Sequence, residues 1–191
     1  MTRQEVAEFN TLFNNACERL NGLMVLSGYR QKDADFFEKI RIKKSIKEFE
    51  KCLSLVPGHW QSMLFLGKAY QKMGDHHAAL SFLEKAMAIE PSNYSISQEA
   101  SLEALQLDDI NKAIKYSGEA VRINPNNTVL MGNHAMNLLI ANKDDEAMKM
   151  IEDAIRLDPN DKINLNVQKL IQGVMTGQQP RPTCKTALGI K

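Results

Sequence analysis

The chain is poor in the residues that mark catalytic or extracellular proteins. Its cysteines are three, Cys17, Cys52 and Cys184, far apart and never in a CxxC spacing. That pattern argues against a disulfide framework and supplies no zinc ligand set, so free thiols in the cytoplasm, with no metal and no other cofactor, are expected. Aromatics make up only 6% of the residues, and a core must therefore rest on aliphatics, Met and Ala. Pro and Gly are sparse, and no Val/Ile/Thr-rich run is bounded by hairpin dipeptides, which favours an all-helical protein. Neither sign of charge is in excess: 24 Lys and Arg face 23 Asp and Glu, for a net +1. A nucleic-acid partner is not expected on that balance. No apolar run reaches the roughly 18 residues of a membrane span, and the opening MTRQEVAEFN lacks a signal-peptide core, so no membrane insertion is expected.

What the chain does contain is a ruler. Four of its six prolines stand at 57, 91, 125 and 159, each 34 residues from the next. They sit in related strings, LVPGH, IEPSN, INPNN and LDPND. A fixed period of this size is the mark of a repeat architecture. With each proline at position 32 of a repeat, position 8 holds Gly67, Ser101 and Ala135; position 20 holds Ala79, Ala113 and Ala147; position 27 holds Ala86, Ala120 and Ala154. Small residues at such positions let two helices cross closely. Position 15 holds Gly74, Asp108 and Asn142, three types that tolerate left-handed backbone angles. Proline stops the second helix of each repeat, and the polar residues behind it can cap the next one.

This pattern resembles the tetratricopeptide repeat, a helix–turn–helix unit, in three consecutive repeats at 60–93, 94–127 and 128–161. The resemblance implies a right-handed α-solenoid, with first helices at about 60–73, 94–107 and 128–141 and second helices at about 76–89, 110–123 and 144–157. Residues 162–176 continue the helical period through Ile163, Leu165, Val167, Leu170, Ile171 and Val174, and are expected to cap the stack. Residues 177–191 hold the two off-register prolines and no amphipathic period, and are expected to form a mobile, mildly basic tail.

Residues 1–59 depart from the register. In strict frame Lys32 and Asp33 would fall at a helix crossing, where they cannot pack. Apolar residues instead mark one helix over 3–26 (Val6, Phe9, Phe13, Ala16, Cys17, Leu20, Met24) and another over about 34–55 (Phe36, Phe37, Ile40, Ile46, Phe49, Leu53). The expectation is an elongated N-terminal hairpin, turning at Ser27–Asp33 and containing a degenerate first repeat. Its overhang either caps the solenoid or mediates homo-oligomerisation. The basic run from Lys39 to Lys47 reads as a solvated outer face or as a surface for an acidic peptide, a phosphate-bearing partner or a membrane.

No nucleophile elbow, phosphate loop or HExxH motif is present, so no catalytic residue is assigned. His76 and His77 are neighbours at a helix start, pointing roughly 100° apart, and cannot chelate together. His134 at a usually apolar position is expected to be packed, with a pH-sensitive role as the alternative. The resemblance instead places function on the concave wall formed by the first helices. There it lists Gln61, Leu64, Lys68, Gln71 and Lys72; then Ser95, Gln98, Leu102, Leu105 and Gln106; then Val129, Gly132, Met136, Leu139 and Ile140; and from the terminal helix Ile163, Asn166 and Leu170. Polarity falls along this series, and apolar surface with Met suits an adaptable binding site. The expected function is a non-enzymatic adaptor that holds a peptide or amphipathic helix of another protein. The alternatives are a chaperone for a secreted or assembling partner, or an accessory subunit of an enzyme complex. The carboxylate clamp of some co-chaperone members is not expected, because Leu64, Phe65, Ser95, Gln98 and Gly132 stand at its polar positions.

Overall fold

A computed structural model describes residues 1–23 and 34–189. The expected turn at Ser27–Asp33 and the place of Met24 lie outside them. All regular elements of the described residues are helices, and they fall into two compact units, Met1–Pro91 and Ser92–Lys191.

The first unit holds α1 (Arg3–Leu20), α2 (Phe36–Leu55), α3 (Trp60–Met73) and α4 (His76–Ile89). Thr2 and Asp35 open α1 and α2 with reciprocal capping boxes to Glu5 and Glu38. α1 stops at Leu20, short of the 26 that its apolar stripe suggests. Asn21 leaves the helical region, Gly22 takes a left-handed φ of 76°, and the Arg41 guanidinium donates to the carbonyls of Arg19 and Asn21. These bonds satisfy carbonyls that a helix end leaves open. Pairing of α1 with α2 buries Ala16, Leu20, Ile42, Ile46 and Phe49, and Ser45 Oγ donates to the Ala16 carbonyl at 2.9 Å.

Few as they are, the aromatics concentrate here. Phe49 stacks on Phe65 with ring centres 5.4 Å apart, and Phe13 meets both edge-on. His59 packs edge-on against Phe9 and Phe13 while its Nδ1 accepts from the Ser62 N–H at the start of α3. Removing the Phe49 side chain from water contributes about 1.5–3 kcal/mol. Gly67 explains the α3–α4 crossing: a Cβ there would lie 2.8 Å from Leu83 Cγ and 3.3 Å from the Ala79 carbonyl oxygen.

The second unit holds α5 (Tyr94–Gln106), α6 (Ile110–Ile123), α7 (Thr128–Ile140), α8 (Asp144–Leu157), α9 (Lys162–Met175) and the single turn α10 (Cys184–Ala187). α6 and α8 each end two residues before a proline, and Asn127 and Asp161 then cap α7 and α9. Asn93 caps α5 in the same way. The turns between paired helices use left-handed backbone at Asp108 (φ 59°) and Asn142 (φ 62°), matching Gly74 (φ 78°) in the first unit. Ala113, Ala120, Ala135, Ala147 and Ala154 are all buried.

Between α5, α6 and α7 the core is tied by polar groups. Ser101 Oγ donates to the Ala113 carbonyl at 2.9 Å, and buried Asn137 donates through Nδ2 to Ser101 Oγ and Ser117 Oγ, both at 3.0 Å. Ser117 Oγ also meets His134 Nδ1 at 2.8 Å. His134 is therefore a packed side chain, and burial lowers its pKa from the usual imidazole value. α9 packs on α7 and α8 and presents Lys162, Asn166, Lys169 and Gln172 to solvent.

Two outcomes follow. Gly67→Val overfills the α3–α4 crossing and lowers unfolding free energy by about 1–3 kcal/mol, measured by urea denaturation. Because the His134 pKa is depressed in the folded state, the unfolded chain binds more protons below the ordinary imidazole range, and stability falls as pH drops through it. Calorimetric melts from neutral to mildly acidic pH show this decline, and His134→Gln makes it shallower.

Candidate functional site

The expected wall residues do not share one fate. On α3, in the first unit, Gln61, Leu64, Lys68 and Lys72 are half-buried and Gln71 is buried; Lys68, Gln71 and Lys72 all have interaction partners. Phe65 belongs to the aromatic core.

In the second unit the first helices α5, α7 and α9 carry the remaining residues. Asn164, almost fully buried, fixes how α9 meets α7: its Nδ2 donates to the Thr128 carbonyl at 3.0 Å and to Asp161 Oδ2 at 2.9 Å. Gly132 is the counterpart, because a Cβ at that position would collide with Asn164 Oδ1. Gly132 is thus a notch for a neighbouring side chain, and its expected place on an open wall is corrected. With the two helix starts clipped together, the second residue of each stands free. Val129 is 57% exposed and Ile163 is 74% exposed. Two turns further along the same faces lie half-buried Met136 and Leu170, and α5 contributes half-buried Leu102. These incompletely buried aliphatics of α5, α7 and α9 are termed the apolar shelf; on the same helices Ser95 and Asn166 are exposed and Gln98 and Gln106 half-buried.

The far end of the expected wall is closed. Leu139 is fully buried in the cluster of Met131, Ala135, Leu138, Ile151 and Ile171, and so is core. Leu105 is buried and Ile140 half-buried. The segment after α9, a strap, runs back over this end instead of hanging free as the expected tail would. Arg181, set between Pro180 and Pro182, donates through Nη2 to Asp144 Oδ2 at 2.8 Å and through Nη1 to Asp144 Oδ1 and the Leu139 carbonyl. That guanidinium holds the Asp144 carboxyl below its usual pKa. α10 then packs on α5, burying Cys184; burial, with the Asp108 carboxylate beside it, pushes the thiol up to about 11. Such a thiol is protonated and unreactive at neutral pH.

Sequence reasoning missed Arg181, Asn137, Asn164 and the two buried acids of α5, Glu99 and Glu103, both of which have interaction partners. The signal for Arg181 was its bracketing by two prolines, which stiffen an extended chain. Polar residues inside otherwise apolar helix faces were the signal for the others. No three His, Cys, Asp or Glu side chains among the described residues converge to hold a metal ion.

Paired antiparallel helices with small residues at their crossings define an all-α repeat protein. Residues 96–127 and 130–161 match the family model described as tetratricopeptide repeat, and residues 34–109 match that of regulator of microtubule dynamics protein 1-3. The chain is a tetratricopeptide-repeat protein. No curated protein matches it in sequence. Among solved structures, MamA is similar over 90% of this chain and 84% of its own, with a TM-score of 0.73 and 15% identity. YrrB, a TPR protein with an unusual peptide-binding site, is similar over 71% of this chain and 70% of its own (TM-score 0.60, 18% identity). The first TPR of Spaghetti (RPAP3), bound to the HSP90 peptide SRMEEVD, covers 61% of this chain and 93% of its own (TM-score 0.56, 21% identity). At these identities the likeness is one of fold, in which this chain resembles tetratricopeptide solenoids.

The strap makes a direct prediction. Arg181→Ala accelerates deuterium exchange over residues 178–188 and opens Cys184 to maleimide, while exchange in α6 and α8 stays unchanged; mass spectrometry of both labels reads the outcome.

Proposed function

We propose that this protein is a non-catalytic adaptor that binds a peptide segment or amphipathic helix of a protein partner on the apolar shelf of its second unit. The observation that carries the reading is the pair Val129 and Ile163, branched aliphatic side chains left largely in water on adjoining helix starts. Nothing in repeat packing requires them to be there, because the clip between α7 and α9 is made by Asn164, Thr128 and Gly132. Exposed apolar surface on a rigid scaffold marks a binding surface, and half-buried Met136 gives it a side chain that adapts to its ligand. Gln98, Leu102 and Asn166 complete the proposed contact set, the Asn166 side-chain amide offering hydrogen bonds to a ligand backbone. Taken by itself, α3 of the first unit is proposed to offer Gln61, Leu64, Lys68, Gln71 and Lys72 as contacts for acidic or amide groups. Leu105, Leu139 and Ile140 mark the end of the shelf beneath the strap.

Peptide binding by structures of the same fold, the RPAP3 repeat with its HSP90 peptide and YrrB with its peptide-binding site, supports the class of ligand by analogy of fold. A cytoplasmic setting belongs to the same reading, supported by three free thiols.

The test compares wild type with Val129→Glu plus Ile163→Glu on a peptide array, followed by calorimetry on the peptides retained. Both positions are exposed, so the variant keeps its helicity and melting temperature, whereas a charge at Leu139 would unfold the unit. The expected result is a loss of affinity of at least about tenfold for the peptides wild type retains. An unchanged peptide set with unchanged affinity removes the shelf as the site.

A further inference from the structure

The outer face of α2 has no part in the repeat architecture or in the shelf. Its buried stripe is Ile42, Ser45, Ile46, Phe49 and Cys52. The opposite stripe, at helical spacing, is Phe36, Ile40, Lys43, Lys44, Lys47 and Lys51, all exposed, with Phe37 and Lys39 flanking it. Phe36 is 72% exposed and Phe37 75%, and the two rings meet edge-to-face with centres 5.6 Å apart. Their exposure has a structural cause. Arg41 bonds the carbonyls of Arg19 and Asn21 where α1 ends, and Phe36, Phe37 and Ile40 lie on the N-terminal side of that tie, turned away from the buried stripe of α2. The sequence pattern made Phe36, Phe37 and Ile40 part of a hairpin's apolar stripe, whereas all three side chains are exposed.

Charge follows the same division. α2 has six basic residues and three acids, although the whole chain is nearly neutral. Of the acids, Glu38 closes the capping box and Glu48 pairs with Arg19, both off the stripe, while Glu50, which accepts from the Tyr70 hydroxyl, is the one exposed carboxylate of α2 among the five lysines. Arg41 is spent on α1. Among the described residues, none of Lys39, Lys43, Lys44, Lys47 and Lys51 makes an ion pair. The result is a stripe roughly 22 Å long with an apolar tip and a cationic shaft.

We propose that this face adsorbs the protein to an anionic lipid bilayer, with Phe36, Phe37 and Ile40 entering the headgroup boundary and the five lysines lying over anionic headgroups. The chemistry fits that occupant. Phenylalanine offers a ligand no hydrogen bond, lysine is a point charge without a recognition fork, and a single helix flank has no concavity to select a shape. Such a face distinguishes only apolar from polar and anionic from neutral, which is what a bilayer interface presents. The docking is at the surface, and no helix among the described residues is long and apolar enough to cross a membrane.

The experiment is co-sedimentation of the full chain with vesicles of phosphatidylcholine alone and of phosphatidylcholine mixed with phosphatidylglycerol, at low and high salt. Wild type is expected to bind the mixed vesicles, to release them as salt rises, and to ignore the neutral ones. Lys43→Glu with Lys44→Glu and Lys47→Glu lowers partitioning on the order of 100-fold or more, since each basic residue near such a surface adds about a factor of five to ten. Phe36→Ser with Phe37→Ser lowers it at least about tenfold with the charge intact. Circular dichroism confirms that both variants fold, and Val129→Glu plus Ile163→Glu binds vesicles as wild type does. Three results would overturn the proposal: no preference for anionic vesicles, full binding by the phenylalanine variant, or soluble polyglutamate displacing the protein with equal effect whether or not the phenylalanines are present. A light-scattering mass that falls from dimer to monomer in the phenylalanine variant, with vesicle binding unchanged, assigns the face to a second copy and also overturns it.

Discussion

Each repeat rests on the closeness of its own two helices. At Gly67 the first helix comes so near the second that a single methyl would strike Leu83 and the Ala79 carbonyl. At the equivalent place in the next repeat Ser101 fits because its hydroxyl bonds the Ala113 carbonyl across the crossing, and in the third Ala135 is packed without any exposed surface. Close packing of backbones leaves little room for large side chains, so the core is built from alanine, small polar groups and aliphatics. The buried hydrogen bonds of Asn137 follow from the same constraint: a polar side chain in a narrow seam is tolerated only when its donors are satisfied.

That constraint is why the repeat was legible. Prolines 57, 91, 125 and 159 record the repeat length, small residues record the crossings, and Gly74, Asp108 and Asn142 record the left-handed turns, all of them local signals. What a 34-residue frame cannot encode is contact made outside the frame. Leu139 reads as wall by position, yet the cap helix and the returning strap put it in the core. Gly132 reads as an open groove position, and only the side chain of Asn164 shows what it accommodates. The stop of α1 at Leu20 was hidden because the apolar stripe runs on, while the guanidinium that closes the helix comes from a residue far along the chain. The incomplete burial of Val129, Met136 and Ile163 was legible because a position along a single helix suffices to place them.

The two surfaces divide the chemistry. The shelf of the second unit is aliphatic with amides on the same helices, suited to the side chains and backbone of a peptide. The flank of α2 is aromatic at one end and cationic along its length, with no hydrogen-bonding group arranged for recognition. On these two proposals one selects by shape and the other by phase and charge, and a protein carrying both would bring a chosen polypeptide to a chosen surface, as an adaptor does.

The strap has a consequence for how such a shelf is tuned. Its anchors are a carboxylate at the start of α8, a backbone carbonyl at the end of α7 and the neighbourhood of a turn aspartate. None of these is an apolar shelf atom. If the shelf binds a peptide as proposed, strap and ligand would meet only at its closed end, and changes that loosen the anchors would shift how much of it is open without altering which sequences it prefers. Threshold and taste are written in separate residues, so a lineage is free to drift in one while holding the other fixed.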